Sequence, residues 1–189
     1  MSINLEKGQK INLEKQDGSK LERIFMGLGW DAATGVLGMG GGSIDLDASC
    51  ALYTENKELI DTVSFRQLHS RDGSIRHSGD NLTGAGDGDD EVINVDLRTV
   101  PTNVKTIVFT INSYRGQTFD KVKNCFARVV DSVTNKEICV YKLAEKGSHT
   151  GMIMCKIYRH NGDWKLSAMG TPCNGATIQN ISTEIVQCL

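Results

Sequence analysis

The sequence predicts an all-β fold: a β-sandwich of two mostly antiparallel sheets, with one or two short helices, one of them C-terminal. Three observations carry this. Short runs rich in apolar and β-branched residues recur along the chain, separated by Gly, Asn and Asp. Proline occurs at 2 of the 189 positions, so little interrupts a strand ladder. His160-Asn161-Gly162-Asp163 places Asn-Gly between two β-rich runs, the strongest short-range hairpin signal. With 39% apolar residues over 189 positions, the chain suits one domain, 1–189, with a core of ordinary size.

The elements follow in order. Ile3-Asn4-Leu5-Glu6-Lys7 recurs as Ile11-Asn12-Leu13-Glu14-Lys15, with Gly8 between the copies. Each copy alternates apolar and polar residues, which predicts two short half-buried strands joined by a turn. A solenoid needs more copies at a longer period, and none follow. Strands are then predicted over Ile24–Trp30, Ile44–Tyr53, Leu59–Phe65, Val92–Leu97 and Val104–Asn112, and further on over Cys125–Val130, Glu137–Leu143, Met152–Arg159 and Trp164–Met169. Asp72-Gly73 and Thr134-Asn135 mark turns. From Ala176 to Leu189, Ile178, Ile181, Ile185 and Leu189 stand at helical spacing. Gly38-Met39-Gly40-Gly41-Gly42-Ser43 is a loop; it follows no apolar strand and lacks the lysine a phosphate-cradling loop needs.

Charge and composition exclude several function classes. A net charge of -2 predicts no basic surface for nucleic acid. No stretch is apolar enough to cross a bilayer as a helix. Met1-Ser2-Ile3-Asn4-Leu5-Glu6-Lys7 shows neither an apolar signal region nor a cleavage site, so the cytoplasm is the expected compartment. Cys50, Cys125, Cys139, Cys155, Cys173 and Cys188 form no Cys-x-x-Cys pair and no zinc spacing. Several lie in apolar runs, as in Ile138-Cys139-Val140, and are expected to be buried reduced thiols. Cys173, beside Pro172, is the candidate for a redox or soft-metal thiol. No nucleophile–base signature is present, so no enzyme is expected. His69, His77, His149 and His160 are expected as surface or hairpin residues, with His149 the one placed to line a ligand pocket. Trp30 and Trp164 sit in strand patterns and are expected to pack in the core.

The informative segment is Gly79-Asp80-Asn81-Leu82-Thr83-Gly84-Ala85-Gly86-Asp87-Gly88-Asp89-Asp90-Glu91. It carries five carboxylates, and no Lys or Arg occurs between His77 and Arg98. Such a concentration of like charge stays solvated or captures a cation. Gly84, Gly86 and Gly88 allow the loop to curl and turn its carbonyls inward. Carboxylates, an amide and carbonyls are the oxygen set that Ca²⁺ takes, six to eight at a time; Mg²⁺, with stricter octahedral demands, ranks below it. The loop is not an EF-hand: counted from Asp87 the sixth position is Val92, and counted from Asp80 the third is Leu82. Gly84 to Asp89 has the look of a nonapeptide calcium repeat, but a single copy cannot build a β-helix. A second acidic element precedes it. In Ser43-Ile44-Asp45-Leu46-Asp47-Ala48-Ser49-Cys50, Ile44, Leu46, Ala48 and Cys50 share one strand face and Asp45 and Asp47 the other, about 6.8 Å apart at the backbone. The ligand candidates are therefore Asp45, Asp47, Asp80, Asn81, Asp87, Asp89 and Glu91, with carbonyls from Thr83 or Gly86. Asp31, after Gly29-Trp30, is a weaker candidate. One or two Ca²⁺ ions are expected.

Several motifs resemble the tellurium-resistance TerD family. They are Gly27-Leu28-Gly29-Trp30-Asp31, Ile44-Asp45-Leu46-Asp47-Ala48-Ser49, and His77-Ser78-Gly79-Asp80-Asn81-Leu82-Thr83-Gly84 through Asp89-Asp90-Glu91. Asn112-Ser113-Tyr114-Arg115-Gly116-Gln117-Thr118-Phe119 and Gly147-Ser148-His149-Thr150-Gly151 are most similar to its TerZ branch. The resemblance runs over nearly the whole chain. It implies a bacterial calcium-binding β-sandwich encoded with tellurite, phage and general stress resistance, working as a scaffold or sensor. The partners it implies are other stress-resistance proteins, a membrane-associated complex among them. Relatives described as binding cyclic AMP supply a second reading, a small-ligand module. For a tellurite-processing enzyme only the family's name speaks.

Overall fold

A computed structural model describes residues 2–15, 17–32, 45–80, 88–144 and 146–189. Its strands are β1 (Ile3–Leu5), β2 (Lys10–Asn12), β3 (Arg23–Ala32), β4 (Leu46–Tyr53), β5 (Leu59–Val63), β6 (Ile75–His77), β7 (Glu91–Asp96), β8 (Thr106–Ser113), β9 (Val122–Asp131), β10 (Lys136–Lys142), β11 (Gly151–His160) and β12 (Asp163–Cys173), followed by the helix α1 (Ser182–Gln187). They form two six-stranded sheets, ordered β1-β10-β9-β3-β7-β6 and β2-β12-β11-β8-β4-β5. Only β1 and β10, among the described pairs, run parallel. The predicted sandwich of two mostly antiparallel sheets is the fold. Residues 38–43, read as a loop, lie outside the described residues. No described helix is long and apolar enough to cross a membrane.

The two N-terminal pentapeptides are strands separated by a turn, as their alternation predicts, but they enter different sheets. Leu5 lies opposite Tyr141 in one sheet and Ile11 opposite Leu166 in the other. The crossing lets Leu5 and Leu13 both face the core between the sheets, which a hairpin within one sheet would not. At the β11–β12 turn, Asn161 and Gly162 take φ of 52° and 84°, the two positive values a two-residue type I′ turn requires. β6 has no counterpart in the sequence reading. It is three residues long, and a period of two cannot be recognised over so short a run.

The C-terminal segment is helical only over Ser182–Gln187, a shorter helix than its spacing predicts. Upstream, the Asn180 side chain accepts from the backbone N–H and the hydroxyl of Thr177, a local turn that competes with helix. The spaced isoleucines report burial instead. Ile178, Ile181 and Ile185 cover Ala51, Tyr53, Val108 and Ile153 on the outer face of the second sheet. Between the sheets, Ile24, Met26, Leu28 and Trp30 of β3 belong to one core with Leu46, Ala48, Cys50 and Leu52 of β4. β5 pairs with β4 only from Cys50 to Tyr53. Leu46 to Ser49 therefore have β8 on one side and, among the described residues, no strand on the other, and the candidate site is built there.

Candidate metal centre

Strand alternation sends Leu46, Ala48 and Cys50 into the core and puts Asp45 and Asp47 on the opposite face. That face is not in water: the two aspartates are 4% and 5% exposed. Asp80 approaches from the end of β6. Ser78 stays tied to β7, its N–H donating to the Val92 carbonyl and its hydroxyl accepting from the Val92 N–H. Gly79 then bends at φ 121°, a conformation glycine adopts without strain, while its N–H donates to His77 Nδ1. One carboxylate oxygen each from Asp45, Asp47 and Asp80 lie within 4.8 Å of one another. Calcium–oxygen distances of about 2.3–2.6 Å let oxygens up to about 5 Å apart share an ion. Asp45 Oδ1 and Asp47 Oδ2 are buried and have no hydrogen-bond partner among the described residues. Buried polar atoms are nearly always satisfied, and a hard cation is a partner that would suit the oxygen chemistry of this pair.

The electrostatics agree. Burial pushes the Asp47 carboxyl up to about 7, helped by the charges of Glu91, Asp45 and Asp80. Burial raises Asp45 as well, against the pull of Arg115. Carboxylates so placed keep a proton or accept a metal ion in its stead.

Beneath them, the side chains of His77 and Glu91 bond to the backbone of β4 at Ala48. The Ala48 N–H donates to Glu91 Oε2 at 2.7 Å, and His77 Nε2 stands 3.1 Å from the Ala48 carbonyl and 3.3 Å from Glu91 Oε2. Because Nδ1 accepts from Gly79, the ring proton sits on Nε2 and is donated to both oxygens. Desolvation works against charging His77, but the hydrogen bond and charge of Glu91 outweigh it and hold its pKa above the ordinary value. His77 is thus a buried clamp, which corrects its expected surface position. Glu91, a predicted ligand, has one oxygen committed to holding β4 against β7.

The remaining candidates are spread more widely than the sequence suggests. Asp89 is drawn away by Arg128 of β9, whose Nε and a terminal nitrogen reach its two oxygens at 2.7 and 2.8 Å. The pair crosses Gly27, which lies opposite Arg128, and a Cβ on Gly27 would stand 2.3 Å from the Asp89 carboxylate. This gives the first glycine of Gly27-Leu28-Gly29 a structural reason. Asp90 accepts from the Trp30 N–H at 2.8 Å. Asp31 accepts from Asn124 at 2.6 Å in a cleft shared with Lys123 and Gly88. Asn81, Thr83, Gly86 and Asp87 lie outside the described residues. The sequence reading missed Arg115, whose Nε is 3.0 Å from Asp45 Oδ2, and Arg128. Both come from strands or turns remote in sequence, and no local signal marks them.

Elsewhere the expectations are met with one adjustment. Cys50, Cys125, Cys139, Cys155 and Cys173 are buried and unbridged. Cys173, the redox candidate, is 5% exposed and pushed up to about 12 by burial, so it carries almost no thiolate near neutrality. His149 is the adjustment: it is buried rather than at the surface, stacked on Phe119 with ring centroids 4.9 Å apart. Trp30 and Trp164 are buried in the core.

Residues 1–184 match the family model described as TerD domain. The chain is 48% identical over 192 residues to "Tellurium resistance protein TerZ" of Serratia marcescens, covering 99% of this chain and 98% of the relative. It is 42% identical to "General stress protein 16U" of Bacillus subtilis over 192 residues, 97% of each. The crystal structure of a homologue of telluride resistance protein (TerD) from Streptomyces coelicolor superposes with a TM-score of 0.71 at 20% identity, over 88% of this chain and 98% of that one. That likeness is one of fold.

Proposed function

This chain belongs to the TerD domain family, the group of tellurium-resistance and general stress proteins, and from that premise we propose that it is a calcium-binding stress protein acting as a calcium-dependent scaffold or sensor, without catalysis of its own. The observation that carries the reading is the pair of buried carboxylate oxygens, Asp45 Oδ1 and Asp47 Oδ2, without a hydrogen-bond partner among the described residues, beside Asp80. In this proposal Asp45, Asp47 and Asp80 hold the ion, and Asn81, Asp87 and carbonyls of Thr83 or Gly86 add oxygens to reach the six to eight that calcium takes. The ion neutralises like charges and sets the surface around Asp80 in a form that another stress-resistance protein recognises. Asp89 is left out of the ligand set because Arg128 already holds it.

Isothermal titration of chelator-stripped protein tests this. Calcium gives a saturable isotherm, magnesium a weaker one and cyclic AMP none. Replacing Asp45 and Asp47 together with Asn abolishes the calcium isotherm. An unchanged isotherm in that variant removes β4 from the site, and no isotherm in the wild type defeats the calcium reading. Capturing partners from a bacterial lysate with calcium and with EGTA then separates a scaffold, whose partner set changes, from a passive calcium store.

A further inference from the structure

We infer that Arg115 is a resident counter-ion of the candidate metal centre, sharing Asp45 with the incoming ion and holding the affinity for calcium down; the inference rests on the calcium reading above. β8 ends at Ser113, which is fully buried. The Ser113 hydroxyl accepts from the Gln117 N–H at 2.8 Å and donates to the Gln117 side-chain oxygen at 2.9 Å. The Gly116 N–H closes the turn onto the Ser113 carbonyl. A turn braced at its base in this way holds Tyr114 and Arg115 at its apex, beside the end of β4 that Ser113 pairs with at Leu46. From there the Arg115 side chain, 55% exposed, contacts Asp45, whose own side chain is 6% exposed.

Asp45 is thus a two-sided group. Oδ2 is held by the guanidinium, and Oδ1 is the buried oxygen without a partner among the described residues. Among the described residues, Arg115 is the one Lys or Arg paired with the carboxylates of the cluster. Arg66 does not substitute for it. That guanidinium stands over the Phe65 and Tyr114 rings, 5.3 and 5.7 Å from their centroids.

Two consequences follow from the charge alone. Without an ion, Arg115 offsets part of the repulsion among Asp45, Asp47 and Asp80, so the empty site is tolerated. With an ion, a permanent positive charge and a divalent cation lie on the same carboxylate and repel each other, so the site binds more weakly than three bare aspartates would. The exposed guanidinium can swing into water as the ion enters, so the weakening is graded rather than prohibitive. Charge count at the ligands is one of the means by which calcium sites are set to sensing rather than permanent occupancy, and Arg115 places this site on the sensing side.

The test uses the full chain with Arg115→Gln, which keeps most of the packing and removes the charge, and Arg115→Lys, which keeps the charge. Calcium affinity is measured by competition with a chromophoric chelator, and melting is measured in EGTA. Arg115→Gln is expected to bind calcium roughly tenfold more tightly, about 1.4 kcal/mol, and to melt below the wild type in EGTA. Arg115→Lys is expected to stay near the wild type in both. The opposite signs of the two effects are the signature, because a residue that merely braces Asp45 would lower affinity and stability together. Equal or weaker binding by Arg115→Gln, or tightening of Arg115→Lys to the same degree, overturns the inference and leaves the calcium reading standing. Absence of calcium binding in the wild type overturns both.

Discussion

Replacing Asp47 with Asn separates the cost of the empty site from the benefit of filling it. Asp47 is buried against Glu91, Asp45 and Asp80, and its carboxyl is pushed from an ordinary 3.8 to about 7. At 1.36 kcal/mol per pH unit that gap is about 4 kcal/mol; sharing of the effect among neighbouring acids leaves about 2–4 kcal/mol. The sign follows from proton binding. Between about pH 4 and pH 7 the folded chain keeps a proton that the unfolded chain has lost, so the calcium-free protein loses stability as pH rises through that window and levels off above it. Asn removes the charge while keeping the shape. In EGTA at pH 8, Asp47→Asn should therefore be more stable than the wild type by about 2–4 kcal/mol, or roughly 5–15 °C in melting temperature for a chain of this size. At pH 4 the difference should vanish. Calcium at a hundredfold excess over its Kd should stabilise the wild type by about 2.7 kcal/mol and the variant far less. Thermal melts followed by circular dichroism at pH 4, 6 and 8, with EGTA or calcium, give all these numbers. A variant that melts at or below the wild type in EGTA at pH 8 refutes the reasoning, as does an advantage that does not change with pH.

Glu91→Ala should behave oppositely, costing about 1–3 kcal/mol in EGTA and calcium alike, because it leaves the buried Ala48 N–H without its acceptor; urea titrations under both conditions measure it. Ellman's reagent should label at most Cys188 in the native protein and all six thiols in denaturant, since the other five are buried; rapid native labelling of Cys173 would restore a redox role to that thiol.

Much of the fold was legible because the signals that announce it are local. Asn161-Gly162 has the one composition that makes two positive φ values cheap, and the nine longer strands announce themselves by run length and residue type. What was hidden depends on partners distant in the chain. Ile3–Leu5 and Ile11–Leu13 are identical in sequence, so nothing local could assign one to each sheet; their partners, β10 and β12, lie more than a hundred residues on. The helical spacing after Ala176 was real but reported which side chains are covered, and the Thr177–Asn180 turn prevented most of it from becoming helix.

The same distinction between local and distant explains the site. Counted along the chain, the acidic segment has no cation between His77 and Arg98, which suggests captured metal with Asp80, Asp87, Asp89 and Glu91 as its candidates. Folding supplies cations from elsewhere: Arg128, across β3 from the loop, takes Asp89, and Arg115, at the end of β8, takes one oxygen of Asp45. Glu91 is claimed by the Ala48 N–H of β4 and by His77. Asp89 is thereby withdrawn and Glu91 partly committed, while Asp45 keeps one oxygen unpaired among the described residues. The charge left over is no longer a loose property of composition. It is concentrated on two named oxygens, Asp45 Oδ1 and Asp47 Oδ2, which are buried and find no donor among the described residues. A solvated acidic surface would leave no such atoms, because water would satisfy them. Glu91 holds β4 in place and Asp89 and Asp45 are paired to β9 and the β8 turn, whereas Asp47 is buried with its carboxyl raised, which is why its replacement by Asn is the sharpest test of the site.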